Sequence, residues 1–474
     1  MRIIFHVNLR SMLRHFDSVV LELVRRGHEV RIASSSNRPD VLPPASFTGH
    51  DRIAFVDAPA RRTDQWAGRI EQLRGFHDYL RYLDNGFNQA PKLRGRAIRK
   101  FAATITDHER SHMIGFCSRC DGRLVDAGVA QVFRQGLSKT GWKNMRAMLA
   151  LMEETIPADA GIDAFMREQQ PDVFVVTPLI RIGSSQPDFV KSARALGIPT
   201  VFPVFSWDNL SSKGIVHVQP DHVLVWNERQ RSEAVNMHGV PYQHIVVTGA
   251  PRFDAFFAMK PQTSRQEFCG RHGLDATKPI VVYLGSSDFV SGRELEFVPR
   301  WVEQIRRAPS LADCNILVRP HPRERSGWKR LPSMPGVAVA LPEGMNADQT
   351  LFDTVHHSAA VVGLNTSAEL EAGIVGRPVL TILAPKFAGG QEGSLHFEYL
   401  VKEHGGFVDV AADFDEHRRQ LVEAVRGNYD AAAIRRFILE FLRPHGPERP
   451  ASALMADAIE SAARVPHAEA VSGS

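Results

Sequence analysis

The sequence predicts an α/β protein made of two open, doubly wound parallel-sheet domains, and three observations carry that prediction. Short runs rich in Val, Ile and Phe recur without polar alternation, as strands buried on both faces do. Stretches with helical periodicity separate them, which is what crossover connections between parallel strands require. A polar segment around 255–278 then divides the pattern into two blocks, each large enough for its own core.

The elements follow in order. In the first block, strands are expected at 2–7 (RIIFHV), 29–33, 52–56, 172–176, 200–204, 222–226 and 244–248. Between the first two, Phe16, Val19, Val20, Leu23 and Val24 repeat at helical spacing, and Gly27 sits where a left-handed C-terminal cap belongs, so the chain opens as a βαβ unit. Residues 58–170 interrupt the alternation with an Arg-rich, mostly helical stretch that reads as an insertion. In the second block, strands are expected at 280–284 (IVVYL), 315–319, 336–341, 360–363, 378–382 and 406–410, followed by helices alone from about 412 to 463. The resulting division is a Rossmann-like domain over 1–260 with its insertion, a second Rossmann-like domain over 261–465 that keeps the terminal helices, and a disordered tail over 466–474. Ligands of such sheets bind beyond the carboxyl ends of the strands, so the chemistry is expected at strand exits facing a shared cleft.

Composition narrows the function. Lys plus Arg number 57 against 53 Asp plus Glu, a net charge of +4, which gives no footing for a nucleic-acid binder but permits an anionic ligand. Four Cys, two of them as Cys117 and Cys120, form neither a disulfide framework nor a complete zinc set. The N-terminus lacks a secretory pattern and no apolar run reaches the roughly 20 residues of a membrane span. A cytoplasmic protein is expected, with peripheral docking at the inner membrane face left open by the Arg-rich insertion, whose plainer reading is a solvated helical face.

Three strand exits of the second block carry chemistry. Gly285-Ser286-Ser287 follows the IVVYL strand, where glycine permits close backbone approach and hydroxyls and N–H groups can meet phosphate oxygens; the plainer alternative is an ordinary turn. Arg319-Pro320-His321-Pro322 follows the next, with prolines on either side of the imidazole and a planar cation beside it, a combination suited to phosphate. After AVVG, Asn365, Thr366 or Ser367 is expected to cap a helix whose first-turn N–H groups can hold a phosphate, while Glu371 lies one turn inside, where a carboxylate can accept from ribose hydroxyls.

The run from Asn365 to Leu380, with Glu371-Ala372 followed by Gly376-Arg377-Pro378, resembles the nucleotide-sugar signature of GT-B glycosyltransferases and of the UDP-N-acetylglucosamine 2-epimerases that share their fold. That resemblance implies that Thr366 and Ser367 meet the donor phosphates and Glu371 the ribose. The Arg319-to-Pro322 element is similar to the His-Pro motif of capsule-type transferases and CDP-glycerol phosphotransferases, which implies donor phosphate or cytidylate contact. The likeness covers about 280–400; Glu392 and His396 match no assigned motif. The Glu-x7-Glu spacing of many retaining enzymes is absent, because Val379 lies eight positions after Glu371 and Arg377 eight after Glu369.

The first block is expected to hold the acceptor. Arg10, Arg14, His15 and Asp17 lie between the first strand and its helix, and His15 is a candidate base for an inverting transfer. The segment Phe205-Ser206-Trp207-Asp208-Asn209 supplies a ring for a sugar face, polar groups for its hydroxyls, and Asp208 as a second candidate base; the alternative is an anchored loop with Trp207 packed inside. After the last strand of the block, Arg252 offers a donor contact. Together these readings imply a metal-independent, inverting glycosyltransferase that takes a UDP-, CDP- or CMP-linked sugar and passes it to a surface polysaccharide or related glycan or lipid acceptor. Neither a cofactor nor a metal is expected. A CDP-alcohol phosphotransferase and a nucleotide-sugar 2-epimerase are the alternatives.

Overall fold

The structure is a computed structural model describing residues 1–34, 44–82, 91–105, 139–286, 294–322, 327–328, 331, 333–341, 347–383 and 395–464. Two compact units divide the chain: Met1–Arg252 with Arg443–Ser474, and Phe253–Leu442.

The first unit holds a seven-stranded parallel sheet in the order β3-β2-β1-β4-β5-β6-β7. Its strands are β1 (Arg2–Val7), β2 (Glu29–Ser34), β3 (Ile53–Asp57), β4 (Val173–Thr177), β5 (Thr200–Pro203), β6 (His222–Val225) and β7 (Ile245–Val247). The central strand β1 pairs β2 in register from Arg2 with Glu29 to Val7 with Ser34, and on its other side pairs β4. The apolar runs therefore do what the sequence required of them: Ile3, Phe5 and Val7 face one core layer and Ile4 the other. Within the insertion the described parts are helices, Ala67–Arg81, Pro91–Ala102, Lys139–Thr155 and Ala160–Gln169.

The second unit holds a six-stranded parallel sheet, β10-β9-β8-β11-β12-β13. Its strands are β8 (Ile280–Leu284), β9 (Asn315–Arg319), β10 (Val337–Val339), β11 (Ala360–Gly363), β12 (Val379–Ile382) and β13 (Val408–Ala411). Its core gathers Val281, Tyr283, Trp301, Ile316, Val318 and Val362. Both sheets share the 3-2-1-4-5-6 winding, so each has a topological switch point between its first and fourth strands, β1/β4 and β8/β11.

The terminal helices depart from the expected arrangement. The Ala431–Leu442 helix stays with the second unit, but Ala451–Arg464 returns to the first. Met455, Ala456, Ile459 and Ala462 enter the core beside Val19, Val20 and Leu23, and Arg26 reaches Asp457 at 2.7 Å and Glu460 at 3.2 Å. Chain order alone could not reveal this, because an apolar helical stripe fits any uncovered sheet face. No described helix is long and apolar enough to cross a membrane. The expected tail after 465 lies outside the described residues.

Candidate functional site

In the second unit the three expected exits belong to β9, β8 and β11, adjacent strands around the switch point. The backbones after β8 and β9 meet. Gly285 N donates to Arg319 O at 2.8 Å, and a Cβ on Gly285 would lie 3.0 Å from His321 N and 3.1 Å from Pro320 Cα. Only glycine leaves room for the Pro-His-Pro segment here. Ser286 is buried, and its N–H donates to both carboxylate oxygens of Glu294 at 3.0 Å. Ser287 and Glu392 lie outside the described residues.

Arg319 is only 8% exposed. Its Nη2 donates to Ala347 O and Thr350 Oγ1, both at 2.9 Å, which ties the guanidinium to the start of the Ala347–His356 helix. Burial lowers its pKa to about 10, with the nearby Asp348 opposing the shift. It stays a cation at neutral pH, so the exit keeps a fixed positive charge. His321 is part-buried at the end of the same turn.

The exit of β11 differs from expectation. The helix that follows spans Ala368–Ile374, and Ser367 at its N-cap makes no side-chain capping bond. Glu369 caps instead: its Oε1 accepts from Asn365 N at 3.0 Å and Thr366 N at 3.1 Å. A Cβ on Gly363 would meet that oxygen at 2.6 Å, and Asn365 holds φ at +94°, so the turn is built around the carboxylate. Glu369 is fully buried, and desolvation raises its pKa to about 7 against the lowering effect of the two N–H bonds. Thr366-Ser-Ala-Glu369 is a capping-box spacing, so the signal was present in the sequence. The N–H of Ser286, expected to meet phosphate, thus already meets a carboxylate, and the N–H groups of Asn365 and Thr366, just ahead of the helix, do the same. Glu371, also buried, projects from the same short helix.

In the first unit His15 and Asp208 come within electrostatic reach. Burial pushes the His15 imidazole well below its ordinary 6.5, Arg14 and Arg252 add to the fall, and Asp208 opposes it. The ring packs on Phe205 with centroids 4.1 Å apart, and Arg14 Nε approaches its Nε2 at 3.4 Å. Arg10 lies over the Phe55 ring at 5.4 Å. Asp208 engages both oxygens: Ser206 Oγ donates at 2.5 Å, Ser212 Oγ at 2.8 Å and Lys213 Nζ at 2.6 Å. Trp207 is 7% exposed, and the buried Asn209 accepts from Phe205 N through Oδ1 at 3.0 Å, so both are packed into the loop instead of being presented to solvent.

The insertion holds that loop in place, and sequence reasoning missed this. Arg81 is buried and donates to the carbonyls of Leu210, Lys213 (3.2 Å) and Gly214 (2.6 Å), with Tyr82 and Arg96 capping Lys213 and Ser212. These carbonyls end the short Asn209–Ser212 helix, where cations belong. Asp78 accepts from Ile215 N at 2.8 Å and lies 3.2 Å from His217 Nε2. Three of the insertion's arginines, Arg62, Arg74 and Arg81, are therefore buried, unlike the solvated face that their spacing suggested.

Asp413-Phe414-Asp415 has the Asp-x-Asp spacing of metal-binding donor sites, but Asp413 caps its helix through Glu416 N at 2.8 Å and Asp415 pairs with Arg418. Among the described residues no group of three or more His, Cys, Asp or Glu could hold a metal.

No protein-family profile and no curated protein matches the sequence. Solved structures do share its architecture. UDP-GlcNAc 2-epimerase from Neisseria meningitidis, bound to UDP-GlcNAc, superposes with TM-score 0.51 at 10% identity over 97% of this chain and 100% of that one. MnaA of S. aureus with UDP gives 0.51 at 11% identity, over 97% and 96%. A glycosyltransferase from Rickettsia africae gives 0.49 at 10% identity, over 97% of both chains. Identities this low show a common fold alone, and the two parallel sheets agree with it: the chain has an α/β fold of two Rossmann-like units, of the GT-B type.

Proposed function

We propose that this protein is a nucleotide-sugar enzyme: a metal-independent, inverting glycosyltransferase acting on a surface-polysaccharide or related glycan or lipid acceptor. The observation that carries the reading is the convergence of Gly285, Arg319-to-Pro322 and Asn365-to-Glu371 on adjacent exits at the β8/β11 switch point, where doubly wound sheets bind nucleotides. The fold neighbours hold UDP-GlcNAc and UDP, which favours a uridine nucleotide over a cytidine one.

In this reading Glu371 accepts from the ribose, and His321 with Thr366 and Ser367 lies along the diphosphate. Arg319, held back by Ala347 and Thr350, acts through its charge. The acceptor oxygen attacks the anomeric carbon, the bond to the diphosphate oxygen breaks with its electron pair, and the acceptor proton passes to His15. His15 is neutral in the free protein and so carries a lone pair, the one that Arg14 Nε approaches at 3.4 Å. Asp208, with three donors on its carboxylate, organises the loop and serves as counter-charge to His15. Its place is cytoplasmic, at or near the inner membrane face.

A second reading, a nucleotide-sugar 2-epimerase, is favoured by the UDP-GlcNAc 2-epimerase neighbour at TM-score 0.51. One experiment separates the two. The protein is incubated with UDP-GlcNAc in EDTA, with and without a glycan acceptor panel, and products are followed by NMR. Acceptor-dependent UDP release supports the transferase, epimerised sugar without acceptor supports the second reading, and release restored only by Mg²⁺ or Mn²⁺ refutes metal independence.

A further inference from the structure

A cavity of about 220 Å³ lies in the first unit where the loop after β4 meets the Ala67–Arg81 and Pro91–Ala102 helices. Its location is telling, because that loop leaves the first sheet at its β1/β4 switch point, where Asn8 Nδ2 meets Ser184 Oγ at 3.2 Å. Nothing in the proposed chemistry uses it.

The lining is ionic below and apolar to the side. Asp188 accepts from Arg62 Nη1 at 3.2 Å and from Arg74 Nη1 and Nη2 at 2.9 Å. Arg62 continues to Asp64 at 2.6 Å, Arg74 to Glu153 at 2.7 Å, and Lys191 reaches Glu153 at 3.0 Å. Three cations thus balance three carboxylates, as a buried network must. At the rim Arg61 pairs with Glu71 at 2.5 Å. Lys100, also at the rim, has no ion-pair partner among the described residues and is the one cation of the lining left uncompensated. Each guanidinium carries five N–H groups, and Arg62 and Arg74 each have four engaged, which leaves one Nη1 hydrogen on each for an incoming oxygen. Ile70 and Ile182 supply an apolar wall.

Size and charge together select the ligand class. The volume falls below the roughly 300–1,000 Å³ of sites for drug-sized molecules, too small for a nucleotide and suited to one sugar ring. A single surplus cation over a neutral floor matches a monoanion; a phosphomonoester would bring a second charge with no partner. We propose that this cavity binds a carboxylate-bearing monosaccharide unit, its carboxylate at Lys100 and its ring oxygens toward Arg62 and Arg74. This deepens the transferase reading and rests on it in one respect: the sugar would be the terminal unit of the glycan acceptor.

The test uses the full chain, with glucuronate, glucose and glucose 1-phosphate as probes in ligand-observed NMR and calorimetry. Glucuronate is expected to bind saturably and more tightly than either other probe. Lys100→Ala should weaken it about three- to tenfold, and Ala103→Trp, which fills the cavity, should abolish it. Ala67→Trp is the second blocking variant should Ala103→Trp not fold. Stabilisation by UDP should be unchanged in every variant. Equal binding of glucose and glucuronate, tighter binding of glucose 1-phosphate, or glucuronate binding that survives both tryptophans would overturn the assignment. Failure of UDP to stabilise the wild-type chain while glucuronate still binds at the cavity would sink the transferase reading and leave this site standing.

Discussion

The carboxylate of Asp78, on a helix of the insertion, lies 2.5 Å from the position that a Cβ on Gly214 would occupy. The same oxygen accepts from Ile215 N, so the glycine marks the point where helix and loop are pressed together. Gly214→Ala should therefore cost about 1–3 kcal/mol through overpacking, read by urea unfolding. Asp78→Ala makes room but orphans the Ile215 N–H, so the double variant should lose at least about 1 kcal/mol less than the sum of the two. Strict additivity would show that the contact is not formed.

Glu369 should make stability fall with rising pH. Its folded pKa of about 7 lies above the ordinary 4.5, so its contribution is complete below pH 4.5 and is lost as pH rises through about 7. A shift of this size in a fully buried group corresponds to about 3 kcal/mol. Glu369→Gln keeps an oxygen for Asn365 N and Thr366 N while removing the titration. Unfolding free energies of the variant should change less between pH 5 and 8 than those of the wild type; identical pH profiles would contradict the assignment.

The strands were legible because burial on both faces writes itself as uninterrupted Val, Ile and Phe, and IVVYL and AVVG fall where expected as β8 and β11. The exits around Gly285, His321 and Asn365 were legible for the same reason, since a strand end fixes where the next loop emerges. What those loops bind to within the protein was not. Glu294 and Glu369 fold back onto N–H groups that looked vacant, Trp207 and Asn209 turn inward, and Arg62, Arg74 and Arg81 find partners more than a hundred residues away. A charged side chain's partner depends on tertiary placement, on which local periodicity is silent.

His321 and His15 should separate binding from turnover. His321→Ala is expected to reduce thermal stabilisation by UDP, whereas His15→Ala should leave it intact and lower kcat by about 10²–10⁴-fold. In the free protein the His15 resonances should titrate well below pH 6.5, because burial and the flanking Arg14 and Arg252 oppose protonation. Titration at or above 6.5 would mean that the ring is solvated and that its assignment as base needs another origin.

Arg81 is the residue whose loss should uncouple the loop around the Asn209–Ser212 helix from everything else. It is a buried cation, and burial lowers its pKa against the opposing effects of Tyr82, Asp78 and Glu233. Its donors close the carbonyl end of the Asn209–Ser212 helix. Arg81→Met fills the volume but takes the donor from Gly214 O, at a cost of about 1–3 kcal/mol where water cannot reach it, while Leu210 O and Lys213 O keep His238 and Tyr82. Arg81→Lys should rescue little, because an ammonium cannot span three carbonyls with the planar fork of a guanidinium. Hydrogen exchange should quicken at residues 211–216 in both variants while UDP stabilisation holds. Acceptor-dependent turnover should drop through KM, since the loop carrying Asp208 and Lys213 loses its fixed geometry. Unchanged exchange in that segment would show that Arg81 does not hold it.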